Sequence, residues 1–181
     1  SCLADVRERP VSSDSGQFDA DGTSLGSFYA MRLRYLLDAP PEPEVAGWQP
    51  AAEAVPYAAF LRDYGDAVLA ARRGEPTAFG PAAARARDSA ARLRAAMDRL
   101  EVQPASTYRR VLGVQLAQVD ALAILAAGDR AAGLAALETA AREEDALPAA
   151  FGPPQVDQPT RELLGWLLLE RDPAAARTQF E

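Results

Sequence analysis

The chain has no histidine, no lysine and no asparagine, and it holds one cysteine and one isoleucine in 181 residues. Without histidine, Ser-His-Asp and Cys-His nucleophilic catalysis, His-ligated zinc and imidazole acid–base chemistry have no residue to run on within this chain. A single cysteine, Cys2, cannot close an internal disulfide. Its place beside the first residue leaves two readings open: an incidental thiol, or a mature chain whose Cys2 stands near a removed export signal or carries a lipid. Ile124 is alone and valine is sparse, so no run reads as a strand. No apolar run approaches the roughly 20 residues a membrane-spanning helix needs, and no span is expected.

What is present is alanine. Apolar residues make up 49% of the chain, and alanine, with high helix propensity and little bulk, supplies much of that share. The expectation is an all-α protein with closely packed helices in one domain. All 19 basic residues are arginine, which reads as a GC-rich coding bias. The net charge of −7 argues against nucleic acid and anionic membranes as partners, because both are recruited by a positive field.

Residues 1–23 are polar, acidic and punctuated by Pro10, Gly16 and Gly22, the composition of a flexible leader. Within it, Asp19, Asp21 and Gly22 imitate a calcium loop, but the glycine comes at the fourth position instead of the sixth and no Glu stands at the twelfth. A turn is expected there, with Thr23 or Ser24 capping the next helix. Residues 24–181 form the domain, with helices predicted over 24–37, 54–73, 82–101, 105–127, 129–145, 160–171 and 173–181. Pro40 and Pro41 stop the first, and Trp48 sits in the proline-broken connector that follows. Gly74 closes the second, and the Pro76, Gly80 and Pro81 cluster is expected to interrupt the chain before the third. Along that third helix Arg85, Arg92 and Arg99 recur every seven residues and read as a salt-bridged outer face.

The most strongly patterned stretch is Arg109 to Ala141. Tyr108, Val111, Leu112, Leu116, Val119, Leu122 and Leu125 form a wide apolar stripe. Gly128 supplies a left-handed helix terminus, Asp129 caps the partner helix, and Gly133 and Ala140 allow the two helices to approach closely. Leu134, Leu137 and Ala141 face back, and the short turn makes the pair antiparallel. Glu143, Glu144 and Asp145 read as a solvated terminus. Further on, Leu163 to Leu169 looks apolar nearly all round, as if buried between neighbours.

The run Ala126-Ala127-Gly128-Asp129 followed by Leu134, Leu137 and Ala140 resembles the helix–turn–helix core of a tetratricopeptide repeat. The stretch from Glu144 through Phe151-Gly152-Pro153-Pro154 and Arg161-Glu162-Leu163-Leu164-Gly165 to Phe180 resembles the C-terminal portion of a group of bacterial proteins built from such repeats. In that comparison Leu164 and Gly165 belong to the first helix of the last repeat, with Ala176 and Phe180 facing them from the second. The resemblance implies a right-handed superhelix with a concave face and carries no catalytic residues. The chain departs from the pattern: Gly74, Gly128 and Asp172 are 54 and 44 residues apart, where regular repeats recur every 34 or so, and Ala117 and Ala121 replace aromatic positions. The compartment stays open between bacterial cytoplasm and export.

Three functions follow as expectations. The first is a non-catalytic scaffold that binds a peptide or partner protein in a helical groove, with Tyr57, Tyr64, Tyr108 and Arg109 as groove-lining residues and no cofactor or metal. The second is a subunit of a larger assembly that completes its core with another chain. The third, a histidine-independent enzyme, would need paired carboxylates, whereas Asp63, Asp66, Asp120 and Glu162 are scattered singly.

Overall fold

The computed structural model describes residues 24–38, 55–104, 106–149 and 154–181. Among these, every regular element is an α-helix and no strand occurs. The helices are α1 (Ser24–Asp38), α2 (Pro56–Arg72), α3 (Pro76–Arg99), α4 (Thr107–Ala126), α5 (Arg130–Asp145), α6 (Thr160–Leu168) and α7 (Pro173–Phe180). The leader with Cys2, the Asp19–Gly22 turn, Thr23 and the connector with Trp48 lie outside the described residues.

Each of α2, α4 and α6 packs most extensively on the helix that follows it, giving three pairs. Short connectors make the members of a pair antiparallel. The pairs dock in chain order: α4 meets both α2 and α3, α6 meets α5, and α1 covers α2. Helix α2 is therefore the most enclosed, with Phe60, Leu61, Tyr64 and Val68 all but inaccessible. Alanine makes that enclosure possible, since Ala58, Ala59, Ala67 and Ala70 of the same helix are buried as well and hold neighbouring backbones close.

Two turns use glycine for its positive φ. Gly74 (φ +66°) and Gly128 (φ +96°) stand just past the ends of α2 and α4. There the amides of Glu75 and Asp129 return to the carbonyls of Ala70 and Ile124 at 2.9 and 3.2 Å, satisfying acceptors the helix end leaves open. Helix α3 ends in the same hydrogen-bonded pattern with Glu101 in the left-handed position (φ 52°), a conformation that costs a non-glycine residue about 1 kcal/mol.

The structure corrects three expectations. Helix α3 starts at Pro76 and runs through Gly80 and Pro81, six residues before the predicted start. Pro76 occupies the first turn, where a missing N–H is no loss, and buried Phe79 anchors that turn. Pro81 does break one bond, but Thr77 and Pro81 are exposed, so the carbonyl left without a donor belongs to a residue on the solvent side of the helix. Helix α6 ends at Leu168, not 171, because the amides of Arg171 and Asp172 both fold back onto its carbonyl at 2.9 and 2.8 Å. Nor is α6 buried all round: Leu163, Leu164 and Gly165 face inward, while Trp166 is 44% and Leu169 41% exposed.

The small residues sit where helices cross. A Cβ built on Gly133 would lie 2.5 Å from Leu125 Cγ and 3.1 Å from its backbone nitrogen. One on Gly165 would lie 2.5 Å from Phe180 Cζ. Leu137, Ala140, Leu164 and Ala176 are buried beside these crossings, and Asp129 Oδ1 accepts the Ala132 amide at 3.0 Å as the cap of α5. The two glycines differ in what must yield. Phe180 is 48% exposed and its ring can swing aside, whereas Leu125 meets Gly133 with atoms close to its own backbone. Gly133→Ala is therefore expected to lose about 1–3 kcal/mol by overpacking. Gly165→Ala should stay near wild type, the clash being offset by up to about 1 kcal/mol of helix propensity. Urea unfolding of both variants measures this, and equal losses would refute the distinction.

A candidate binding cleft and the polar network beneath it

A cleft of about 390 Å³ opens where the first pair meets α4. Tyr57 and Phe60 reach it from α2, Leu93 and Met97 from α3, and Tyr108, Val111, Leu112 and Gln115 from α4. The positions recur at three- and four-residue steps, so each helix offers one face to the cleft. Ser106, Thr107 and Gln155 complete the rim, and no lining residue is charged at neutral pH. A more open groove of about 450 Å³ between α4 and α5 mixes Arg110 and Arg142 with Glu143; Arg110 is already committed to the Ala146 carbonyl at 2.6 Å.

One helical turn below the cleft, the same faces turn polar. The Tyr64 hydroxyl donates to Gln118 Oε1. Gln118 Nε2 donates to the Gln158 carbonyl at 2.8 Å and to Thr160 Oγ1 at 2.7 Å. Thr160 passes the chain on, its hydroxyl and its amide donating to Glu144 Oε2 at 2.6 and 2.8 Å. Beside it, Gln115 Nε2 donates to Asp157 Oδ2 at 3.0 Å. Tyr64, Gln115, Gln118, Asp157, Gln158 and Thr160 are all buried, so the bonds must be made internally. The network ties α2, α4, the end of α5 and the start of α6 to one segment, 157–160.

Glu144 does the work of a helix cap in this arrangement. Pro159 precedes α6 and offers no capping side chain, so the Thr160 amide is satisfied by a carboxylate from the neighbouring helix, placed at the positive end of the α6 dipole. Asp145, next along, pairs with Arg161. Glu144 and Asp145 thus form a docking edge for α6, while Glu143 is exposed as a solvated terminus would be.

The four residues expected on a groove separate into three environments. Tyr57 and Tyr108 line the cleft, with Tyr108 exposed. Tyr64 is fully buried and belongs to the network; its ring stacks on Phe60 at 5.8 Å. Arg109 points along the α3–α4 connection, its Nε donating to the Val102 carbonyl at 2.9 Å and its Nη2 meeting Asp98 at 2.6 Å. Two of the candidate carboxylates, Asp63 and Asp66, come together on Arg85. Asp63 and Asp66 meet Arg62, Arg85 and Arg32 around α2, and Asp120 pairs with Arg87 on the surface. Among the described residues no helix is long and apolar enough to cross a membrane.

Burial shapes the titration of this region. It pushes the Tyr64 hydroxyl well above its ordinary value, with Asp157 and Glu144 adding to the effect, so Tyr64 stays protonated and remains a donor to Gln118. Glu144 is raised by burial, against the two hydrogen bonds from Thr160. Because the folded state raises this pKa, ionised Glu144 is penalised at neutral pH. The penalty is complete above the raised pKa and disappears below the ordinary value of 4.5. Glu144→Gln keeps an acceptor for Thr160 without the charge. The stability of this variant relative to wild type should be greatest at neutral pH and fall as pH drops through the raised pKa, as read by urea unfolding at several pH values; a difference that grows on acidification would contradict the assignment. Comparison with protein-family models, with curated proteins and with solved structures gives no match to this chain.

Proposed function

We propose that this chain is a non-catalytic interaction module whose helical pairs stack in the manner of a tetratricopeptide-repeat superhelix and seat a partner peptide or protein in the cleft between the first two pairs. The observation that carries this reading is the cleft: uncharged, walled by apolar side chains, rimmed by Tyr57 and Tyr108. Such a site suits a bulky side chain displayed on an extended or helical segment. The buried network supports it from below, because a binding wall is useful only if the helices that form it keep their register. The net charge of −7 weighs against nucleic acid as the occupant.

Panning a displayed random-peptide library on the full chain tests the proposal. Enriched peptides should share a bulky apolar or aromatic residue, and the Tyr57→Ala/Tyr108→Ala double variant should bind them at least ten-fold more weakly, as expected when interface aromatics are truncated. Peptides that bind the double variant as tightly as wild type would move the binding face elsewhere.

A second reading is favoured by the last pair. Trp166, Leu169 and Phe180 are 44%, 41% and 48% exposed, Phe180 meets Trp166 edge-on with 6.3 Å between ring centroids, and the Arg72 guanidinium lies 4.5 Å over the indole. An aromatic patch of this kind suits a subunit that completes its core with another chain. Light scattering coupled to size-exclusion chromatography decides it, since a monodisperse monomer at high micromolar concentration removes self-assembly.

A further inference from the structure

Gln115 is 2% exposed and lines the cleft. Its amide nitrogen donates to Asp157 Oδ2 at 3.0 Å, and that bond sets the orientation of the whole group, because a carboxylate accepts and an amide nitrogen only donates. The amide oxygen therefore faces away from Asp157. Among the described residues no donor reaches it, and it is not sealed in either: the buried side-chain atoms without a partner are Arg72 Nη1 and Gln158 Oε1. Gln115 Oε1 is an open acceptor on a wall that is otherwise largely apolar.

Two of the other polar groups of the lining have work of their own. Ser106 Oγ accepts the Arg109 amide at 3.4 Å, and Gln155 Nε2 donates to the Pro148 carbonyl at 2.6 Å. An anion entering the cleft would find no cation in the lining, and an ammonium would lose its hydration with no carboxylate in the lining to replace it. Electrostatic complementarity thus selects a neutral group with a donor at its edge, and Phe60, Leu93, Met97, Val111 and Leu112 select an apolar ring. We propose that the cleft takes an indole, the side chain of a tryptophan on the partner peptide, with its N–H on Gln115 Oε1. The proposal rests on the peptide-seat reading and narrows it to one side-chain class.

The test uses two near-isosteric probes, 5-fluoroindole and 5-fluorobenzothiophene, titrated with the full chain and followed by fluorine NMR. The benzothiophene is the more apolar ring, so burial alone would favour it. With the hydrogen bond in place, wild type should bind the indole roughly five-fold more tightly, and Gln115→Met should erase that preference, read as the ratio of the two affinities in the same variant. The wild-type comparison needs no variant and stands even if Gln115→Met fails to fold. Equal or tighter binding of the benzothiophene overturns the proposal. If both rings then bind equally and Val111→Trp, which fills the cleft, abolishes both, the cleft remains an apolar seat and only the indole assignment falls. If neither ring binds, the assignment falls, and peptide panning shows separately whether the wider reading falls with it.

Discussion

The side chain on which most of the architecture depends is Gln118. A buried primary amide has two donors and one acceptor oxygen to satisfy, and leaving one unmade costs about 1–3 kcal/mol. Here Oε1 takes the Tyr64 hydroxyl and the two N–H groups go to the Gln158 carbonyl and Thr160 Oγ1. These partners come from α2, the segment before α6, and α6 itself. A one-residue slip of any of them would strand at least one polar group in the core. Apolar contacts made largely by alanine tolerate small slides; this amide does not, and it supplies the specificity that a small-residue core lacks.

The same need for directional bonds explains what arginine does here. Arg34 reaches the Pro154 carbonyl at 3.2 Å, Arg109 the Val102 carbonyl, Arg110 the Ala146 carbonyl and Arg130 the Leu167 carbonyl at 2.8 Å. Each of the last three acceptors lies at or near a helix C-terminus, where carbonyls have no intrahelical donor and the dipole favours a cation. A coding bias would explain why arginine is the only basic residue. It does not account for where these four point, and a shorter or less forked cation would not span the same distances with the same geometry.

What could be read from the sequence is what local chemistry dictates. The Gly128-Asp129 turn, the close approach at Gly133 and the placement of Ala140, Ala176 and Phe180 depend on residues within one helical pair, and glycine and alanine spacing reveals them. Pro81 misled because the carbonyl it orphans belongs to Thr77, an exposed residue in the first turn of the helix, and exposure, which lessens the loss, is a tertiary property. Tyr64 misled in the opposite sense: an amphipathic side chain suits a groove or a core, and the choice was made by Gln118, 54 residues away. Yet the network left a signal. Gln115 and Gln118 fall on the arc of α4 that carries Val111, Val119 and Leu122, and two amides at core positions require buried partners. The identity of those partners, in a connector read only as proline-rich, was not encoded locally.

The cleft and the network are joined through Gln115, and this explains how an opening survives in a molecule packed so tightly. Shape alone would let Met97, Leu93 and Val111 relax into the space, since apolar side chains gain by closing voids. Gln115 resists collapse because its amide is held by Asp157 on the far side, and Asp157 sits in the segment that Gln118 anchors through Gln158 and Thr160. Tyr57 and Tyr108 stand on the first turns of α2 and α4, before the helices close on each other. The cleft is therefore not a packing defect of an alanine-rich chain. Its wall is held open by the same hydrogen bonds that set the order of the helices, so its dimensions are as specified as the fold.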